Sequence, residues 1–134
     1  PIWAIPAAEA ALTGMQSIVE QLRLTIQNNR DVIMNELHAF TDVKCVRPQG
    51  TFYCLPDFRA YKQDSVELSN FLLRRAYVVT VPGKEFGMEG HLRLSYAGSV
   101  KDITEGIARI KWALDPNSPN EIYIGDKKMI RVWM

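Results

Sequence analysis

The sequence predicts an α+β fold, a small antiparallel or mixed sheet with helices packed on one face, and three observations predict it. Apolar residues recur at helical spacing in three separate stretches. Between those stretches lie short β-branched and aromatic runs bounded by proline and glycine. The resulting order is helix, two strands, helix, two strands, helix, which suits a two-layer sandwich.

Met15, Ile18, Val19, Leu22, Ile26, Ile33 and Leu37 fall on one stripe. No glycine or proline interrupts the run from Met15 to Phe40, so it reads as one long amphipathic helix. Val43 to Val46 is a strand candidate, followed by a turn at Pro48-Gln49-Gly50. Thr51 to Leu55 reads as a second strand, stopped by Pro56-Asp57. Asp64 and Glu67 have the spacing of a capping box, with Ser65 as the other cap candidate, before a helix carrying Leu68, Phe71, Leu72 and Ala76. Tyr77 to Val81 is a β-branched strand ended by Pro82-Gly83. From His91 to Tyr96, Leu92, Leu94 and Tyr96 alternate with His91, Arg93 and Ser95, a strand with two unlike faces. Ser99 and Asp102 cap a closing helix whose stripe is Ile103, Ile107, Ile110 and Leu114. Residues 1–115 therefore form one domain. The tail, 116–134, opens with a linker-like Pro116-Asn117-Ser118-Pro119-Asn120, and Glu121–Gly125 with Met129–Met134 make a candidate hairpin.

A chain of 134 residues, 47% apolar and 23% charged, is long enough for one ordinary core and too apolar for disorder. Its net charge of +1, with lysines and arginines scattered, argues against a nucleic-acid footprint. No apolar run is long enough for a membrane helix, and no secretory leader is visible. Cys45 and Cys54 make no disulfide framework and no zinc spacing, so no metal and a reducing, cytoplasmic home are expected. The start at Pro1, without an initiator methionine, suggests a trimmed piece.

Arg93 is the most informative residue. A guanidinium on a strand offers a rigid planar fork for a carboxylate and stays charged at any physiological pH. The competing reading is a solvent-facing arginine, or one paired with Glu85 or Glu89. The loop before it, Pro82 to Gly90, has three glycines that permit positive φ and backbone approach to a ligand, or simply make a turn. Their spacing is that of no phosphate-binding motif. Tyr53 reads as a core aromatic with its hydroxyl at the surface. His38 and His91 have no partner at a catalytic spacing, and Cys45 and Cys54 read as packing residues.

Four segments, in order, resemble the small C-terminal domain of class I aminotransferases of the pyridoxal-phosphate fold-type I superfamily. They are Ala7 to Gly14, Pro48 to Tyr53 with Leu55 to Phe58, Val81 to Gly87 with Gly90 to Ala97, and Ser99 to Ile110. Among subgroups the likeness is greatest to bacterial aspartate aminotransferases, and it covers roughly residues 7 to 114. The resemblance implies that Arg93 binds the α-carboxylate of an amino-acid or 2-oxo-acid substrate. It also implies that Phe86 and Gly87 belong to the substrate loop. The family's Schiff-base lysine follows a Ser-x-x-Lys pattern in a larger domain, and no lysine here has a serine three residues before it. No catalytic or cofactor-binding residue is therefore expected in this chain. Pyridoxal phosphate would belong to the full-length enzyme, with none bound here. Ile5-Pro6 and the tail after Asp115 depart from the family's pattern.

Three readings stay open: the substrate-clamping part of an aminotransferase, a stand-alone carboxylate-binding or assembly module derived from one, and an unrelated regulatory domain. On the first, the missing large domain is a partner, and exposed apolar residues are expected at Ile2, Trp3, Ile5, Ile122, Tyr123, Ile130, Val132 and Trp133. Covering them by pairing with a second copy makes a homo-oligomer the expected state.

Overall fold

The long helix is α2, Ser17–Leu37, and the core lies against its C-terminal half only. Asn29, Ile33, Met34 and Leu37 are buried there, whereas Ile18, Val19 and Leu22 on the same stripe are exposed. A shorter helix, α1 (Ala4–Thr13), precedes it and buries none of its residues. This computed structural model describes residues 1–133.

The sheet has three strands in the order β1–β3–β2, all antiparallel: β1 (Tyr53–Cys54), β2 (Val81–Pro82) and β3 (Leu92–Ser95). Tyr53 pairs with Ser95 and Cys54 with Leu94, and the register continues to the Asp57–His91 bridge. Tyr96 N–H donates to the Phe52 carbonyl at 2.8 Å, which extends the pairing at the other end. Leu92, Leu94 and Tyr96 enter the core, so the alternation expected over His91–Tyr96 holds.

Two strand expectations need correction. Val43–Val46 forms no strand and touches the sheet through a single bridge, Lys44 to Asp57. Tyr77–Val81 shrinks to Val81–Pro82, for local reasons. Helix α3 (Ser65–Phe71) runs on as a π-helical segment, Leu72–Ala76, and Tyr77 ends it in the left-handed conformation at φ 57°. Thr80 then turns to α3: its carbonyl accepts from Ser69 Oγ at 3.0 Å and its hydroxyl donates to the same oxygen at 2.9 Å. Side-chain bonds to a helix replace the ladder there.

Asp64 is the cap of α3, accepting from Glu67 N–H at 2.8 Å, while the Glu67 carboxylate binds Lys62. At the closing helix α4 (Val100–Leu114) both halves of the Ser99–Asp102 capping box are present. Helices α2 and α4 pack together, and Asn29 locks α2 to the end of β3 by donating to the Tyr96 and Gly98 carbonyls at 3.0 and 2.8 Å. The buried amide thus satisfies two carbonyls that the sheet leaves free.

The tail forms a hairpin, β4 (Glu121–Ile124) and β5 (Lys127–Ile130), ending earlier than the Met129–Met134 expectation. Met134 lies outside the described residues. The hairpin buries Ile124 and Met129. Trp133 stacks edge-on with Phe71 and Trp112 at 5.6 and 5.3 Å, and the Trp112 indole donates to the Pro119 carbonyl at 2.8 Å. Ile122 and Trp133 are therefore partly covered, against the expectation of exposure, whereas Tyr123, Ile130 and Val132 are exposed as expected.

Candidate functional site

Arg93 sits on the central strand β3, on the face opposite to Leu92 and Leu94. Both neighbours are paired to it, so its backbone is fixed on two sides. The register sets Tyr53 opposite Ser95, on the Arg93 face and not the core face expected of it. Its ring lies 5.1 Å from the guanidinium carbon, and the Phe86 ring lies 4.9 Å away. Two aromatic rings thus flank one guanidinium, orienting the fork through cation–π attraction without neutralising it.

Phe86 reaches this position because the loop folds as a 3-10 turn, Gly83–Phe86, closed by Gly87 at φ 71°. Only glycine adopts that left-handed backbone at no steric cost. A side chain at Gly83 would collide with the Met88 carbonyl oxygen, so this turn also needs its first glycine. Phe86 and Gly87 are both exposed.

The competing reading, in which Glu85 or Glu89 pairs with Arg93, fails on geometry. Glu89 turns the other way: Oε1 accepts from Ser65 N–H at 2.8 Å, from Ser65 Oγ at 2.6 Å and from Gly90 N–H at 3.2 Å. These bonds, the Ser65 hydroxyl first, hold its carboxyl below the usual carboxylate range. Glu85 is exposed and makes no ion pair. Among the described residues, no carboxylate pairs with Arg93, whose contacts are the two rings.

A cavity of about 670 Å³ opens beside Tyr53, with Met88, His91, Cys45 and Cys54 also in its walls. Arg93, half-buried, is not among them. His91 accompanies Arg93 only in sequence; its ring contacts the Glu89 carbonyl at 3.2 Å. His38 ends α2 and joins no cluster. No group of three His, Cys, Asp or Glu able to hold a metal ion occurs among the described residues. None of their helices is long and apolar enough to cross a membrane.

Sequence reasoning missed three contributors. Thr51 holds a left-handed φ of 66°, rare for a β-branched residue, and its hydroxyl accepts from Tyr53 N–H at 3.2 Å. That turn sets where Tyr53 enters the sheet. Ser65 and Glu89 anchor the loop from the far side. The glycines at 83 and 87 were a usable signal, whereas nothing local connects residues 65 and 89.

The aminotransferase class I and II family model matches residues 2–110. A probable aspartate/prephenate aminotransferase of Aquifex aeolicus is 44% identical over 103 residues, covering 75% of this chain and 26% of that protein. The crystal structure of the aspartate aminotransferase of Rhizobium meliloti superposes with a TM-score of 0.75 at 29% identity, covering 81% of this chain and 30% of that one. The Thermus thermophilus aspartate aminotransferase with maleate superposes at 0.69 and 35% identity, covering 83% and 28%. The chain thus spans between a quarter and a third of the length of these relatives.

Proposed function

Because this chain belongs to the class I and II aminotransferase family, we propose that it is the substrate-clamping C-terminal part of a pyridoxal-phosphate aminotransferase of aspartate/2-oxo-acid type. In this reading Arg93 binds the α-carboxylate of an amino-acid or 2-oxo-acid substrate. Phe86 and Gly87 form the substrate loop, with the Phe86 ring orienting the guanidinium. One observation carries the reading: a strand-borne guanidinium held between two rings and left without a carboxylate partner. The Thermus relative carries maleate, a dicarboxylate, which is the ligand chemistry such a fork accepts.

The family depends on pyridoxal phosphate, but this chain's own residues do not fit it. A Schiff-base lysine works when enclosed and desolvated, and every lysine here is exposed: Lys44, Lys62, Lys84, Lys101, Lys111, Lys127 and Lys128. On this reading the cofactor and its lysine belong to a large domain, the chief partner of this one, in a cytoplasmic homo-oligomer.

Outside a complete active site the clamp is weak. An arginine–carboxylate pair open to water contributes ~1 kcal/mol and is screened by salt. Association entropy must also be offset, so binding falls in the millimolar range or weaker. Titrating succinate or 2-oxoglutarate should shift NMR signals of Arg93, Tyr53 and Phe86 at high concentration only, and Arg93→Ala should abolish the response. Submicromolar affinity would instead favour a stand-alone carboxylate-binding module, and no response in the intact chain would sink the clamp.

A further inference from the structure

We infer that Cys45 and Cys54 form a reversible dithiol site, in which Cys45 attacks a small-molecule disulfide and Cys54 resolves the mixed disulfide.

The placement comes from register. The Lys44–Asp57 bridge sets Cys45 opposite Pro56, one step diagonally from Cys54 on the same face. Diagonal neighbours in an antiparallel pair stand about 7–8 Å apart at Cα. A disulfide spans about 4.4–6.8 Å, so closure draws the two segments together by roughly 1 Å. The 43–46 segment can yield that much, because one ladder bond, Asp57 N–H to the Lys44 carbonyl at 2.8 Å, holds it there.

The two cysteines line the same cavity and are not equivalent. Cys54 is 2% exposed, whereas Cys45 is half-buried, and both border the 670 Å³ cavity. The Cys54 thiol and the Leu55 backbone N–H both act as donors toward the Cys45 sulfur. Those two donors hold the Cys45 thiol below its usual range, and against them burial works to raise it. The same bond to Cys45, and burial, push the Cys54 thiol far up. When protonated, Cys45 donates to the Val46 carbonyl at 3.5 Å. Lys44, Tyr53, Asp57 and His91 are the other charged or titratable groups in the cavity wall.

The chemistry balances without an external metal or cofactor. The Cys45 thiolate attacks one sulfur of a disulfide RSSR, whose S–S bond breaks and releases RS⁻, which takes up a proton. Cys54 then gives up its proton, attacks the Cys45 sulfur of the mixed disulfide and expels the second RS⁻. Two protein thiols are oxidised and RSSR is reduced to two RSH.

The test uses the 134-residue chain with oxidised glutathione and intact-mass analysis. The expected product is two hydrogens lighter, carries no glutathione and reverts with dithiothreitol. Cys54→Ser should stop at one glutathione adduct on Cys45, and Cys45→Ser should stay unmodified. Persistent adducts on the unaltered chain, or no reaction at all, would overturn the assignment. Because serine at buried Cys54 can impair folding, the unaltered chain also receives a short iodoacetamide pulse. Cys45 should be alkylated at least about tenfold faster than Cys54, and equal labelling would count against the site.

Discussion

Ser65 gives both its backbone N–H, at 2.8 Å, and its hydroxyl, at 2.6 Å, to one oxygen of Glu89. The serine is fully buried at the first turn of α3, and its oxygen also accepts from Lys84 N–H at 3.3 Å. One side chain therefore ties helix α3 to both ends of the loop that carries Phe86. The carboxylate additionally meets the positive end of the helix.

Ser65→Ala should destabilise the fold by about 1–2 kcal/mol, since the Lys84 N–H then loses its acceptor and Glu89 its hydroxyl donor at a part-buried site. Glu89→Ala should leave the core intact but loosen the loop. Amide exchange at Lys84 and Gly90 reports that, with faster exchange there and unchanged protection in α4. Protection unchanged in the loop would mean that Glu89 does not anchor it.

The alternation over His91–Tyr96 made the strand and the outward Arg93 legible, because a period of two is written in neighbouring residues. The cap at Ser99–Asp102 was legible for the same reason. Tyr77 was not: its β-branched neighbours argue for a strand, but α3 and Ser69 claim the chain before the sheet does. Nor were the Phe86 ring over Arg93 and the Ser65–Glu89 bonds, since each joins residues that only tertiary packing brings together. The long stripe of α2 was read correctly as amphipathic, yet half of it faces no core.

Asp57 yields a pH prediction. Arg59 grips its carboxylate through Nη2 at 2.6 Å and Nε at 2.9 Å, and also through its backbone N–H at 3.0 Å. The side-chain bonds are the main cause of a pKa lowered from 3.8 to about 2. A depressed carboxyl pKa adds stability that is fully present above the unfolded value and lost as pH falls through the folded one. The window therefore runs from 3.8 down to about 2. Arg59 is more than half exposed, so solvent screening reduces the contribution to ~1 kcal/mol. Urea denaturation across that window should show the decline in the unaltered chain, with a shallower decline in Asp57→Asn. Parallel declines would remove Asp57 as the cause.

Catalysis is predicted to be absent from the chain alone. Mixed with pyridoxal phosphate, aspartate and 2-oxoglutarate, it should show no stable Schiff-base absorbance and no oxaloacetate formation. All of its lysines are exposed, so any adduct should be slow, unselective and removed by dialysis. Turnover that one lysine substitution abolishes would overturn this.

The N-terminal helices supply the last prediction. Trp3 is 89% exposed and Leu12 81%, and Met15 just before α2, then Ile18, Val19 and Leu22 along it, continue the apolar run. A patch of this kind marks a surface meant to be covered, and on the reading proposed above a large domain is its cover. In the 134-residue chain by itself a second copy is the available substitute, and two-fold pairing is the commonest outcome. The chain should therefore associate with rising concentration in sedimentation velocity. Each of these side chains contributes ~1–2 kcal/mol when covered, so Ile18→Glu with Leu22→Glu should return it to monomer. The double variant should keep its melting behaviour nearly unchanged, because neither residue reaches the core and such exposed changes stay within about 0.5 kcal/mol each. A monomer at all concentrations, or a variant that associates equally well, would show that this face is not the one that pairs.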